Sequence, residues 1–193
     1  MSTAVAPRGT ETALDVVSPQ RIENELLGQI GIFTRNLGKP HLNGELSLAS
    51  QPQAIACPRM SLKDLNERFS ALVEIPPVHL EEAWAHEPMP DGWLLIDQQA
   101  RWPAHKGDPI LLPEGAQMPT LTQMIWAMML HKKYLTWRDQ RMATITVTSK
   151  GAKLYATWKM LRMNKYVITV VDQYKAVERS GMGAIPCWQL TQA

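Results

Sequence analysis

Basic and aromatic side chains are concentrated between residues 131 and 165 of this 193-residue chain. The segment carries nine lysines and arginines against one acid, Asp139, so its formal net charge is +8. Dense cations with interleaved aromatic rings can bind a phosphate backbone and stack on bases. We therefore predict a nucleic-acid-binding surface made of Lys132, Lys133, Trp137, Arg138, Arg141, Lys150, Lys153, Lys159 and Arg162.

The two halves of the chain also differ in net charge: the N-terminal half is acidic and the C-terminal half is basic. Residues 1–112 contain 9 Lys and Arg against 14 Asp and Glu, whereas residues 113–193 contain 11 against 4. Such an asymmetry indicates a polyanionic partner for the basic half and a scaffold role for the acidic half. Two other interpretations stay open: the basic face pairs with acidic protein, within the chain or in a partner, or it is an ordinary solvated surface.

Motifs for other chemistry are missing from the sequence. There is no phosphate-binding Gly-rich loop and no Ser nucleophile elbow, and two cysteines are too few for a Cys-rich zinc site. His79, Glu82 and His86 have a spacing that would share a helix face, but Pro88 ends any helix there and Glu82 suits a solvated face. We expect no enzymatic activity, no cofactor and no metal site.

Composition predicts a protein that does not associate with membranes. The chain is 45% hydrophobic and 20% charged, as in ordinary globular proteins. Its longest apolar run, Leu121–Leu130, is about half the length that a membrane span requires. Residues 1–17 lack the apolar core of a secretory signal, and few cysteines fit a reducing compartment. We expect a cytoplasmic protein.

Local sequence patterns predict three helices and three short strands in the N-terminal half. The first expected helix covers 18–37, the second begins at Ser61, and the third covers 78–85. Residues 39–60 are predicted to be a loop with a short strand at 45–48, and further strands are expected at 93–97 and 109–112. The predicted buried side chains are Ile22, Leu26, Ile30 and Phe33 in the first helix, Leu62, Leu65 and Phe69 in the second, and Val78, Leu80 and Trp84 in the third.

The C-terminal half is predicted to have a long apolar helix over 120–138, capped by Thr120. Alternating β-branched residues at 144–148 predict a strand, and Ser149 is expected to cap a helix over 149–163. Residues 166–171 fit either a strand or a helix, and 185–190 fit an edge strand. The side chains expected at the centre of this half are Leu121, Ile125, Trp126 and Met128.

The stretch I-T-V-T-S-K-G-A-K-L-Y, residues 145–155, resembles the I-x-L-T-x-x-G-x-x-L signature that closes the wing in MarR-like winged helix-turn-helix proteins. The resemblance places Thr148, Gly151 and Leu154 at the closing positions and Arg138 and Arg141 in the wing. It implies a recognition helix in the major groove of duplex DNA and a basic wing on the backbone. DNA is therefore favoured over RNA as the partner.

The expected fold is α+β and mainly helical, with a winged-helix-like C-terminal half. A flexible tail at 1–17 precedes an acidic helical and loop-rich region at 18–112 and a basic region at 113–193, either separate or one continuous domain. The expected function is non-enzymatic nucleic-acid binding, by a small regulator or by a subunit of a phage, plasmid or defence nucleoprotein complex. The alternative is an assembly subunit whose basic face docks an acidic protein. A protein partner or homo-oligomer is expected in either case.

Overall fold

Two four-stranded sheets form the framework of the computed structural model, which describes residues 14–26, 28, 31–41, 51–105, 108–130, 141–161, 165–172 and 182–190. The first sheet has the order β1 (Asp15–Val17), β2 (Pro52–Cys57), β3 (Gly92–Asp97) and β8 (Cys187–Leu190). The second has the order β6 (Tyr166–Asp172), β5 (Lys153–Met160), β4 (Arg141–Val147) and β7 (Met182–Gly183). Neighbouring strands are antiparallel except β1 with β2 and β4 with β7.

The helices of the described residues are short. They are α1 (Pro19–Arg21), which continues into a π-helical turn (Ile22–Leu26), α2 (Leu62–Arg68), α3 (Pro77–Leu80), a 3₁₀ turn (Ala83–His86) and α4 (Leu121–Leu130). Strands hold more residues than helices, so the prediction of a mainly helical, winged-helix-like fold is wrong and the fold is mainly β. No helix in these described ranges has both the length and the apolar character needed to cross a membrane.

α4 is the centre of the core. All ten of its side chains are buried, and it contacts β2 of the first sheet and β4, β5 and β6 of the second. The indole Nε1 of Trp126 donates a hydrogen bond to the Ala56 carbonyl in β2 (2.9 Å), while the Leu121 amide donates to Thr146 Oγ1 in β4 (2.9 Å). The predicted burial of Leu121, Ile125, Trp126 and Met128 is confirmed.

Two predicted helix starts are confirmed by their capping contacts. Ser61 Oγ accepts from the Asp64 amide (3.2 Å) while the Asp64 carboxylate accepts from the Ser61 amide (2.8 Å), a complete capping box. Thr120 and Gln123 make the same reciprocal pair at the start of α4 (3.3 and 2.9 Å). Partial burial of Asp64 opposes its charge, but the hydrogen bonds from Ser61 outweigh this effect and lower the pKa of the carboxyl.

The predicted helix over 18–37 is wrong beyond its first turns. Ser18 does cap α1, but Gly28 and Gly31 adopt positive φ angles of 60° and 80°, which a helix does not allow. The Glu23 carboxylate instead accepts hydrogen bonds from the Ile32 and Phe33 amides (2.7 and 3.1 Å). This contact folds the chain back after the π-helical turn.

Two further predictions in the N-terminal half are wrong. The region expected to be a loop contains β2, whose six residues are all buried. Its first residue is a proline, but the strand still pairs with β3 along its whole length. The predicted strand at 109–112 has no strand structure. The strand expected at 45–48 lies outside the described residues. The predicted strand at 93–97 is confirmed as part of β3.

The predicted helix over 149–163 is wrong: residues 149 and 150 lie in a turn, and Lys153–Met160 is strand β5, which pairs with β4 as a hairpin. Gly151, at φ 76°, closes the turn with its amide donating to the Thr148 carbonyl (2.8 Å). Residues 166–171 are strand β6. The helix that the winged-helix resemblance implies after Thr148 is therefore absent from its expected position.

The acidic region at 18–112 and the basic region at 113–193 differ in charge, but they share one hydrophobic core. β8 belongs to the basic region but pairs with β3 in the first sheet, and one buried cluster extends from Val17 to Leu190. The last three residues of the predicted tail form β1.

Replacing Trp126 with Ala should lower the free energy of unfolding by about 3–5 kcal/mol, because it empties a fully buried site and leaves the Ala56 carbonyl without its donor. Urea denaturation measures the loss. Trp102→Ala, at a tryptophan that is 40% exposed, is the matched control and should cost less. A loss under about 1 kcal/mol at Trp126 would show that α4 is not the centre of the core.

Replacing Ser61 with Ala should cost about 1 kcal/mol at neutral pH through loss of the cap. Because the folded state lowers the pKa of Asp64, the stabilisation is present above the ordinary Asp value of about 3.9 and disappears as the pH falls through the lowered pKa. The difference between the wild type and Ser61→Ala should therefore shrink in acid. Ser70→Ala, at an exposed serine, is the control, and a difference that stays constant with pH would contradict the capping box.

Candidate nucleic-acid interface

β5 places its charged and its apolar side chains on opposite faces of the second sheet. Leu154, Ala156 and Trp158 belong to the core beside α4. Successive side chains of a strand point to opposite faces, so the alternate residues of β5 project away from α4. We call this side the outer face; β5 contributes Lys153, Tyr155, Thr157 and Lys159 to it.

β4 adds a third cation to the outer face. Its register pairs Arg141 with Thr157, Ala143 with Tyr155 and Val147 with Lys153. Directly opposed residues share a face, so Arg141, Lys153 and Lys159 lie on the same side of the sheet. The structure thus brings together three of the nine residues predicted for nucleic-acid binding.

The middle of the outer face is covered by the chain itself. Tyr155 is 7% exposed and packs with Ala143 and Ala184, and the side chains of Ile110, Leu112 and Met118 pack on this cluster. Burial raises the pKa of the Tyr155 hydroxyl, and the nearby Arg141 offsets this only in part. The tyrosine is therefore a neutral, covered residue, and the cations surround it.

Lys159 already has an acidic partner. Its Nζ lies 3.0 Å from the Glu74 carboxylate, and both side chains are half exposed. Glu74 is held beside β6, because its amide donates to the Ile168 carbonyl (2.9 Å) and its carbonyl accepts from Thr169 Oγ1 (2.7 Å). Lys159 consequently offers less free positive charge than its sequence position suggests.

The β4–β5 turn extends the outer face with one further cation. Lys150 is exposed at this turn, next to Gly151. Ile145 and Val147, just before the turn, are 48% and 47% exposed. Sequence reasoning did not select these two residues, although their alternation with threonines indicated that one face of β4 would be partly solvated.

Glu82 holds the β4–β5 turn in place. Its carboxylate accepts hydrogen bonds from the Ser149 amide (3.1 Å) and hydroxyl (3.0 Å). Glu82 therefore has a structural partner 67 residues away, which no local pattern could have shown. Over the parts of the chain that the structure describes, no group of three or more His, Cys, Asp and Glu residues could hold a metal ion.

The two thiols offer no reactive nucleophile. Cys57 and Cys187 are both buried and not disulfide-bonded. Burial raises the pKa of both, that of Cys187 to about 12, so neither is ionised near neutral pH.

Five of the nine predicted residues lie outside the described residues: Lys132, Lys133, Trp137, Arg138 and Arg162. Of the predicted nucleic-acid-binding residues, the structure describes Arg141, Lys150, Lys153 and Lys159.

Comparison of the chain with protein-family models, with curated proteins and with solved structures found no match.

Proposed function

We propose that this protein is a non-enzymatic nucleic-acid-binding protein that contacts phosphates through the outer face and the β4–β5 turn. The observation that carries the proposal is the convergence of Arg141 and Lys153 on one face, with Lys150 at the adjoining turn. These residues belong to the segment with a net charge of +8. Such a surface attracts polyanions through screened electrostatics and counterion release.

The dimensions of the surface suit several phosphates at once. Lys153 and Lys159 are six residues apart on β5. At roughly 3.3 Å per residue their backbones are about 20 Å apart, comparable to about six base pairs of duplex. Arg141, on the neighbouring strand, falls between these two positions along β5.

The burial of the aromatic residues favours a backbone-directed mode of binding. Tyr155 is covered on the outer face and Trp158 points into the core, so neither offers a platform on which bases can stack. Proteins that bind single strands depend on such platforms. Duplex DNA, with one charge per roughly 1.7 Å of axis, is therefore our preferred partner. A small regulator or a subunit of a phage, plasmid or defence nucleoprotein complex would use this mode.

The exposed apolar residues support a second candidate function. Ile145 and Val147 are nearly half exposed beside Lys150 and Lys153. Apolar contacts ringed by cations suit an acidic protein surface, which would make the chain an assembly subunit.

The double variant Lys150→Gln, Lys153→Gln should weaken binding to a short DNA duplex. It should also reduce the magnitude of the negative slope of log K against log salt by about 1.8, roughly 0.9 for each lost phosphate contact. Fluorescence anisotropy at several salt concentrations measures both quantities. The control is Lys39→Gln, Lys63→Gln, which removes the same charge from exposed positions of the acidic half.

Equal losses in the two double variants would show that only net charge matters and would contradict this surface. The protein-docking alternative predicts a different pattern: binding to duplex DNA would be weak at every salt concentration. Binding to an acidic protein would then decrease in the variant Ile145→Ser, Val147→Ser.

A further inference from the structure

An open cleft of about 440 Å³ lies at the end of the first sheet, outside the proposed nucleic-acid surface. It is lined by Thr34, Arg35, Arg59, Asp91 and the apolar run 88–90. Its volume falls within the roughly 300–1,000 Å³ typical of small-molecule sites. None of these residues belongs to the basic segment, so the cleft raises a separate functional question.

Three chain segments build the cleft and are joined by specific contacts. Residues 59 and 60 follow β2, and residues 88–91 precede β3. The Met89 amide donates to the Met60 carbonyl (2.9 Å), which joins these two segments. The third segment is held by the Trp93 indole, whose Nε1 donates to the Leu37 carbonyl (3.3 Å). The walls are therefore anchored to two paired strands of the sheet.

Arg35 is held at the cleft by a carboxylate. Its Nε contacts the side chain of Asp91, which is only 13% exposed, whereas the Arg35 side chain is 56% exposed. The contact therefore orients the guanidinium while more than half of the Arg35 side chain stays exposed to solvent and accessible to a ligand.

Arg59 is the second cation of the cleft. Its side chain is exposed, and over the described residues it makes no ion pair or hydrogen bond with a carboxylate or carbonyl. Pro88 and Pro90 are exposed on either side of the core residue Met89, so the cleft has an apolar wall. The cleft thus combines two guanidinium groups, one neutralised carboxylate and an apolar surface.

From this combination we propose that the cleft binds a small phosphate monoester whose organic group lies against residues 88–90. A phosphate monoester carries about −1.5 to −2 charges near neutral pH and three acceptor oxygens, enough to satisfy both arginines. A monocarboxylate has one charge and would satisfy a single guanidinium. The proposal goes beyond nucleic-acid binding and does not depend on it.

Isothermal titration calorimetry of the full chain tests the proposal with phenyl phosphate, inorganic phosphate and benzoate. Phenyl phosphate should bind more tightly than either of the others, because only it offers both the dianion and the ring. Arg59→Gln should weaken phenyl phosphate binding by roughly 10- to 100-fold, the effect of losing a charged hydrogen-bonding partner. Arg59→Lys should weaken it less, since the charge remains and the planar fork is lost.

The matched control is Lys63→Gln, which removes an exposed cation that does not line the cleft and should leave binding unchanged. Thermal unfolding shows whether each variant folds as the wild type does. The proposal is overturned by phenyl phosphate that fails to bind, by benzoate that binds equally well, or by a folded Arg59→Gln variant with wild-type affinity. The variant Lys150→Gln, Lys153→Gln should bind phenyl phosphate with wild-type affinity. Failure of the phosphate-site proposal can therefore be distinguished from failure of the nucleic-acid proposal.

Discussion

The burial of a predominantly apolar helix on all its faces is the constraint on which this structure depends. α4 has no polar face to turn toward water, so it must be covered on all sides, and two sheets and α2 contact it. Its few polar groups then need partners inside the core. The Trp126 indole and the Gln123 side chain reach Ala56 and Gln189 in the first sheet, while the Leu121 amide reaches Thr146 in the second. These bonds fix the position of the sheets around the helix.

This arrangement determines which residues of the second sheet can meet a partner. Because one face of the sheet packs on α4, alternate residues of β4 and β5 project outward, and the cations Arg141, Lys153 and Lys159 are among them. Because Ile110, Leu112 and Met118 pack on the centre of that face, Tyr155 is covered and the exposed charged groups are the cations around it. The proposed preference for phosphates over bases depends on this packing of the core.

Local signals in the sequence predicted part of the fold correctly. The capping residues Ser61 and Thr120 identified the starts of α2 and α4, since caps depend only on neighbours three residues away. The helix expected at 149–163 was wrong because Leu154 and Trp158, four residues apart, satisfy both a helical period and a strand alternation. The turn residue Gly151 was the discriminating signal. The buried strand β2 was missed because it begins with a proline and lies in a region rich in turn-forming residues.

The candidate sites were less predictable than the elements, because their residues meet only in space. The density of cations did indicate a basic surface, but the pairing of Lys159 with Glu74 joins residues 85 positions apart. The cleft joins Arg35 and Arg59 through the turn before β3, and no local spacing relates them.

Photo-crosslinking of a bound DNA duplex, with the crosslinked peptides identified by mass spectrometry, locates the nucleic-acid-binding surface on the chain. The proposed binding surface predicts crosslinks in residues 141–161, which contain the outer-face cations of β4 and β5 and the turn between them. Crosslinks that fall mainly in residues 14–105, the acidic half with the first sheet and the cleft, would contradict it.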